Sequence, residues 1–173
     1  MKGKPTIVSI LGWSGVGKTT FAEKVIAECA RRNIPVAAFK KSRHPADLPP
    51  GGKDSTRFYA AGADPSVYLS GSEMLLLGSP PPTMDKSAIA SLCPRARIVV
   101  CEGLEVEGSV LVLVAGDETQ EEALKRRLAD IDILVARAAS MRDLGASRGV
   151  SVFEPDSVGF FLDHIISLEE SDD

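Results

Sequence analysis

Thr6-Ile-Val-Ser-Ile-Leu11 is a short β-branched run, and Gly12-Trp-Ser-Gly-Val-Gly-Lys-Thr19 follows it without a break. The second stretch fits GxxxxGK[ST], a pattern met by chance on the order of once in a hundred chains of this length. From Lys18 to Arg32 apolar residues recur at helical spacing through Phe21, Val25, Ile26 and Cys29. Strand, glycine loop and helix in that order make a phosphate-binding turn. The glycines let backbone NH groups converge on phosphate oxygens, and the helix N-terminus adds about half a positive charge. Gly12, Ser14, Gly15, Val16 and Gly17 are expected to wrap the phosphates, with Thr20 in the first helical turn. Lys18 should reach the β- and γ-phosphates as the catalytic cation, and the Thr19 hydroxyl should ligate Mg²⁺. A glycine-rich turn that binds nothing is the plain alternative. Trp13 is expected to pack beside the loop rather than stack on a base.

Such a loop needs an acid near the metal, at the end of a neighbouring strand. Ile98-Val-Val-Cys-Glu102 supplies one, and Glu102 is expected to act there as metal ligand and catalytic acid group. Two motifs are missing. Asn33, the only asparagine, precedes Ile34, so the guanine-reading NKxD motif has no place here. Gln120, the only glutamine, falls on an expected helix, which disfavours a water-orienting role and makes intrinsic hydrolysis slow.

The remaining pattern alternates strands and helices. Val36 to Phe39 is expected as a second strand, Lys41 to Gly52 as a loop, and Asp54 to Ala61 as a short helix. Val67 to Leu69 and Met74 to Leu77 can pair as a hairpin across Ser70-Gly-Ser72. Further helices are expected at Asp85 to Leu92 and Glu118 to Leu128, and strands at Ile98 to Cys101, Val110 to Val114 and Ile131 to Val135. Phe160, Phe161 and Ile165 give the last helix an apolar face. The order implies an α/β, P-loop NTPase-like, doubly wound and mainly parallel sheet, with helices on both faces and a possible antiparallel hairpin addition.

At 173 residues the chain has the length of one domain, residues 1–173, with the acidic Glu169-Glu-Ser-Asp-Asp173 expected as a solvated, frayed tail. A net charge of −4 gives no global positive field, so nucleic acid is not an expected partner. No apolar run approaches the ~20 residues that span a bilayer, and Thr6 to Leu11 is too short for a secretory h-region. Cys29, Cys93 and Cys101 lack CxxC spacing and are expected as core residues of a cytoplasmic protein.

Lys40, Lys41, Arg43, Lys53 and Arg57 stand against Asp47 and Asp54, giving 5 − 2 = +3 within an acidic chain. A basic island just after the second strand lies at the sheet's carboxyl edge, where open α/β folds bind ligands. It is expected to be a second anion site; a solvated loop is the alternative. Asp54 can also cap the helix it opens. His44 is read equally as a bystander or a ligand contact, and His164 is expected on a helix surface.

Taken together, the loop Gly12–Thr19, Lys40-Lys-Ser-Arg-His44, Gly52-Lys-Asp-Ser-Thr-Arg57 with Ala60-Ala-Gly-Ala63, and Cys101-Glu-Gly103 resemble the molybdopterin-guanine dinucleotide biosynthesis protein B family. The match is strongest from Ile7 to Leu77. The resemblance implies a homodimer that binds GTP with Mg²⁺, works beside the nucleotidyltransferase joining GMP to molybdopterin or its molybdenum-bearing form, and has weak GTPase activity at most. It assigns Gly15, Gly17, Lys18 and Thr19 to phosphates and metal, Glu102 to the strand end, and Lys53, Asp54 and Arg57 to a second motif. Lys41 stands where the family usually has histidine, and Leu104 where it has an aromatic residue. A small-molecule kinase using ATP and the basic loop is the competing function, though no Arg-rich lid follows Gly78 to Thr83. A scaffold with a vestigial nucleotide site is the third.

Overall fold

The computed structural model describes residues 4–44, 54–116 and 120–171. In chain order the elements are β1 (Thr6–Leu11), α1 (Lys18–Arg31), β2 (Val36–Lys40), α2 (Asp54–Ala60), β3 (Ser66–Leu69), β4 (Met74–Leu77) and α3 (Lys86–Leu92). There follow β5 (Ile98–Glu102), β6 (Val110–Ala115), α4 (Glu121–Arg127), β7 (Ile133–Ala136), α5 (Ala139–Ser147), β8 (Ser151–Phe153) and α6 (Val158–Ser171). They pack as two compact units, one of Met1–Ser42 with Asp85–Asp173 and one of Arg43–Met84.

In the first unit, six strands pair in the order β2-β5-β1-β6-β7-β8, every neighbour parallel. Alternation sends the side chains of β6 and β7 to two cores. Val8, Ile10, Ile98, Val100, Val112, Val114, Ile133 and Val135 meet Phe21, Val25 and Cys29 of α1 and Phe161, Leu162 and Ile165 of α6. On the opposite face Leu113, Ala115, Leu134 and Ala136 meet Leu124 of α4 and Met141 of α5. Each fully buried aliphatic or Phe side chain contributes about 1.5–3 kcal/mol, which is why the central strands read as continuous apolar runs. The architecture is the expected doubly wound α/β sheet.

Ser9 is the exception inside β1. Its hydroxyl accepts from the Val106 NH at 3.2 Å and lies 2.7 Å from Ser109 Oγ, tying the helix-free segment between β5 and β6 to the strand it crosses.

Several expectations shift. Residues 118 and 119 of the expected helix lie outside the described residues; α4 starts at Glu121 and ends in a 3-10 turn, Leu128–Asp130. The strand expected from Ile131 begins at Ile133, because the Asp132 carboxylate instead accepts from the Leu111 NH at 2.8 Å. Phe160 points outward and is 75% exposed, while Leu162 takes the inward place beside Phe161. Helix α6 runs through Ser171, and Glu169, expected in a solvated tail, accepts from Thr6 Oγ1 and Arg97.

In the second unit, β3 and β4 pair antiparallel with Leu69 opposite Met74, forming a two-stranded sheet of their own. Asp64 accepts from the Ser79 NH at 2.8 Å, and the Ser79 side chain, then this NH, hold its carboxyl below its ordinary value.

Candidate functional site

Parallel strands bring all their carboxyl ends to one edge. The chain leaves β1 toward β2 on one side while β6 lies on the other, and the crevice at such a reversal is where open α/β sheets take ligands. The glycine loop lies there. At Gly12 the backbone runs at φ 146°, and a Cβ would stand 2.3 Å from the Val114 carbonyl oxygen, so only glycine lets the loop pass this close to β6. Gly17 is the N-cap of α1 at φ 95°, and no side chain caps the helix. The uncapped first-turn NH groups and the helix dipole therefore favour an anion at this end.

Lys18 Nζ donates to the Trp13 carbonyl at 2.6 Å, folding its side chain back along the loop. Trp13 packs against the second core, as expected for a packing residue. Ser14, Gly15 and Thr20 are exposed along the loop and first turn, and Val16 is half-buried in the first core.

Thr19 Oγ1 donates to Glu102 Oε1 at 2.7 Å. Glu102 closes β5 in register with Ile10 of β1 and Lys40 of β2, so sheet pairing itself carries the acid to the loop. Gly103, at φ 69°, bonds back to the Ile10 carbonyl at 3.0 Å and fixes the strand end. Lys40 Nζ lies 3.2 Å from Glu102 Oε2 and 3.3 Å from Thr19 Oγ1. A groove of about 190 Å³ opens beside these three side chains, between α1 and β2.

This donor set fits Mg²⁺. Octahedral Mg²⁺ at 2.0–2.1 Å sets adjacent oxygens about 2.9 Å apart, and the ion usually takes one or two protein carboxylates with substrate phosphates completing the shell. The Thr19 and Glu102 oxygens are 2.7 Å apart, and an ammonium already sits within reach of both residues. Among the described residues no group of three His, Cys, Asp or Glu could hold a metal by itself.

The expected second anion site divides differently. Lys40, placed in it by sequence, joins Thr19 and Glu102 instead; the available signal was its position as last residue of the strand paired with β5. Lys53 and Asp47 lie outside the described residues. Asp54 and Arg57 make an exposed i,i+3 ion pair at 3.6 Å within α2. Gln120 Oε1 accepts from the Gly116 NH at 3.0 Å, so its amide supports the loop after β6.

Cys29 and Cys101 are buried and Cys93 is half-buried; burial, then Cys93, pushes the Cys101 thiol up to about 11. His164 is half-buried, its ring 5.6 Å from that of Phe153. No helix of the described residues is long and apolar enough to cross a membrane. A larger cavity of about 780 Å³ opens at the amino ends of the strands, among Lys4, Lys86, Arg95 and Arg97, away from the phosphate loop.

Residues 7–138 match the family model described as molybdopterin guanine dinucleotide synthesis protein B. The molybdopterin-guanine dinucleotide biosynthesis adapter protein of Haemophilus influenzae is 28% identical over 150 residues, covering 86% of this chain and 82% of the relative. The adapter protein of the same description from Escherichia coli is 26% identical over 165 residues, covering 88% and 94%. The crystal structure of Bacillus subtilis MobB superposes with a TM-score of 0.70 at 21% identity, covering 91% of this chain and 96% of that one, a likeness of fold.

Proposed function

Because the chain belongs to the molybdopterin guanine dinucleotide synthesis protein B family, we propose that it is a GTP-binding adapter assisting attachment of GMP to molybdopterin, with weak intrinsic GTPase activity at most. The observation that carries this is the convergence of an uncapped helix start, Lys18, Thr19 and Glu102 at the carboxyl end of β1. In the bound state Lys18 leaves the Trp13 carbonyl for the β- and γ-phosphates, and the NH groups of the glycine loop and of Thr19 and Thr20 take the remaining phosphate oxygens. Thr19 and Glu102 would hold Mg²⁺, which when bound would neutralise phosphate charge. Slow turnover is supported by Gln120, whose amide is engaged with Gly116 and is not set to orient a water. The preference for GTP over ATP rests on the family.

The partners we assign are the nucleotidyltransferase, molybdopterin or its molybdenum-bearing form, and a second copy of this chain, in the cytoplasm. Homodimerisation is supported by the second unit. A two-stranded sheet of four-residue strands is marginal alone, and here it exposes Leu69 at 70% and Met74 at 69%. Lys53, Asp54 and Arg57 serve the family's second motif, for which a pterin phosphate is the ligand we propose.

The test is reconstitution of the nucleotidyltransferase reaction with molybdopterin, GTP and Mg²⁺, with and without this chain. Product should form faster with the chain and lose that gain with Lys18→Ala. Equal product in all three mixtures would contradict the adapter role, and preference for ATP in binding would point to a kinase.

A further inference from the structure

The position of Lys40 has no counterpart in the functions assigned so far. It ends β2 directly opposite Glu102 of β5, in parallel register. Its ammonium reaches Glu102 Oε2 at 3.2 Å and donates to Thr19 Oγ1 at 3.3 Å, so it touches both residues assigned to Mg²⁺. This is the one ion pair of Glu102 among the described residues, and Glu102 is only 13% exposed at its side chain, against 58% for Lys40. A half-buried carboxylate without a counter-charge is unfavourable, and the ammonium removes that penalty before any ligand arrives. Lysine suits this role: it is a compact point charge on a flexible stem, with three donors that can let go without disturbing the core.

We propose that Lys40 is a tethered cation occupying the divalent position of the nucleotide-free site, keeping Thr19 and Glu102 together and barring Mg²⁺ until nucleotide phosphates enter. An ammonium and a divalent ion repel each other at the same two oxygens. Metal alone must therefore displace Lys40 without compensation. Metal arriving with a nucleotide brings several negative charges, toward which the released ammonium can turn. Glu102 thereby keeps a positive partner in both states, and the site takes metal and nucleotide as a unit. This inference rests on the assignment of Thr19 and Glu102 to the metal.

The test uses Mn²⁺ as the probe, read by the loss of its free-ion EPR signal, on the full chain without nucleotide. Wild type should bind Mn²⁺ weakly, and Lys40→Arg, which keeps the charge, equally so. Lys40→Met should bind on the order of tenfold more tightly, since the competing charge is gone. With GTP present the difference between wild type and Lys40→Met should shrink. Thermal melts establish that each variant is folded. Mn²⁺ binding by Lys40→Met that is no tighter than wild type overturns the proposal. The double variant Lys40→Met with Glu102→Gln separates the two levels: loss of the gained affinity keeps the metal assignment, whereas unchanged tight binding removes Glu102 from the metal site altogether.

Discussion

Replacing Gly12 by alanine tests whether close passage of the loop past β6 shapes the nucleotide site. The added Cβ would stand 2.3 Å from the Val114 carbonyl oxygen, whereas real Cβ contacts essentially never fall below 3.0 Å, so backbone must retreat by at least 3.0 − 2.3 = 0.7 Å. The obstacle is main chain of a central strand and cannot swing aside. Forcing a side chain to φ 146° costs about 1–3 kcal/mol, and overpacking against a fixed neighbour costs about 1–3 kcal/mol more. A loss near 3 kcal/mol lowers the Tm of a chain this size by about 6–12 °C. Gly15→Ala is the control: at φ 77° with nothing within 4 Å of the new Cβ, it carries only the left-handed backbone cost of about 1–2 kcal/mol. Thermal melts of both variants, with calorimetric GTP titration, should show Gly12→Ala clearly less stable and weaker in binding than wild type. A Gly12→Ala protein as stable as Gly15→Ala would refute the reasoning.

Phe21 and Phe161 join α1 to α6 edge to face at 5.1 Å, both fully buried, so Phe21→Ala should cost about 3–5 kcal/mol in urea unfolding; a loss under about 1 kcal/mol would mean that the helices are held elsewhere. Glu28 is held at about 2 against an ordinary 4.5 by its bonds to Arg31 and then Arg32. A depressed carboxyl stabilises the folded chain above its unfolded value and loses that effect as pH falls through the folded one. Glu28→Gln should therefore melt below wild type at pH 6, with the gap closing between about pH 4.5 and 2; a constant gap across that window would count against it. If the proposed homodimer pairs through β3 and β4, light scattering should find wild type dimeric and Leu69→Glu with Met74→Glu monomeric; a monomeric wild type would contradict the dimer, and a variant that stays dimeric would move the interface away from β3 and β4.

The start of the chain was the most legible part of the sequence, because β1, the loop and α1 are each specified locally. A β-branched run, positive-φ glycines and an apolar stripe lie within residues 6–31. Glu102 was legible because the apolar run before it is a buried central strand. Helix α5 and strand β8 were not anticipated. In Ala139–Ser147 only Met141 and Gly145 are buried, which leaves no repeating stripe to recognise. Gly145 looks like a helix breaker, yet a Cβ there would meet Leu134 and Val152 at 2.8 and 2.9 Å, so it is a packing requirement. Phe160 misled because the buried arc of α6 is taken by Phe161, Leu162 and Ile165, and a residue one step before Phe161 turns about 100° out of that arc. The placement of Lys40 beside Glu102 depends on strand order, which no local pattern encodes: β2 and β5 are neighbours although 57 residues lie between Lys40 and Ile98, the start of β5.

Calorimetric titration of wild type and Lys18→Ala with Mg·GTP and Mg·ATP tests the nucleotide site most directly. Wild type should bind GTP in preference to ATP, and Lys18→Ala should lose at least about 2 kcal/mol, roughly thirtyfold in affinity, with the charge-assisted phosphate contact. Equal GTP affinity in the two proteins would contradict the assignment of this loop to phosphate.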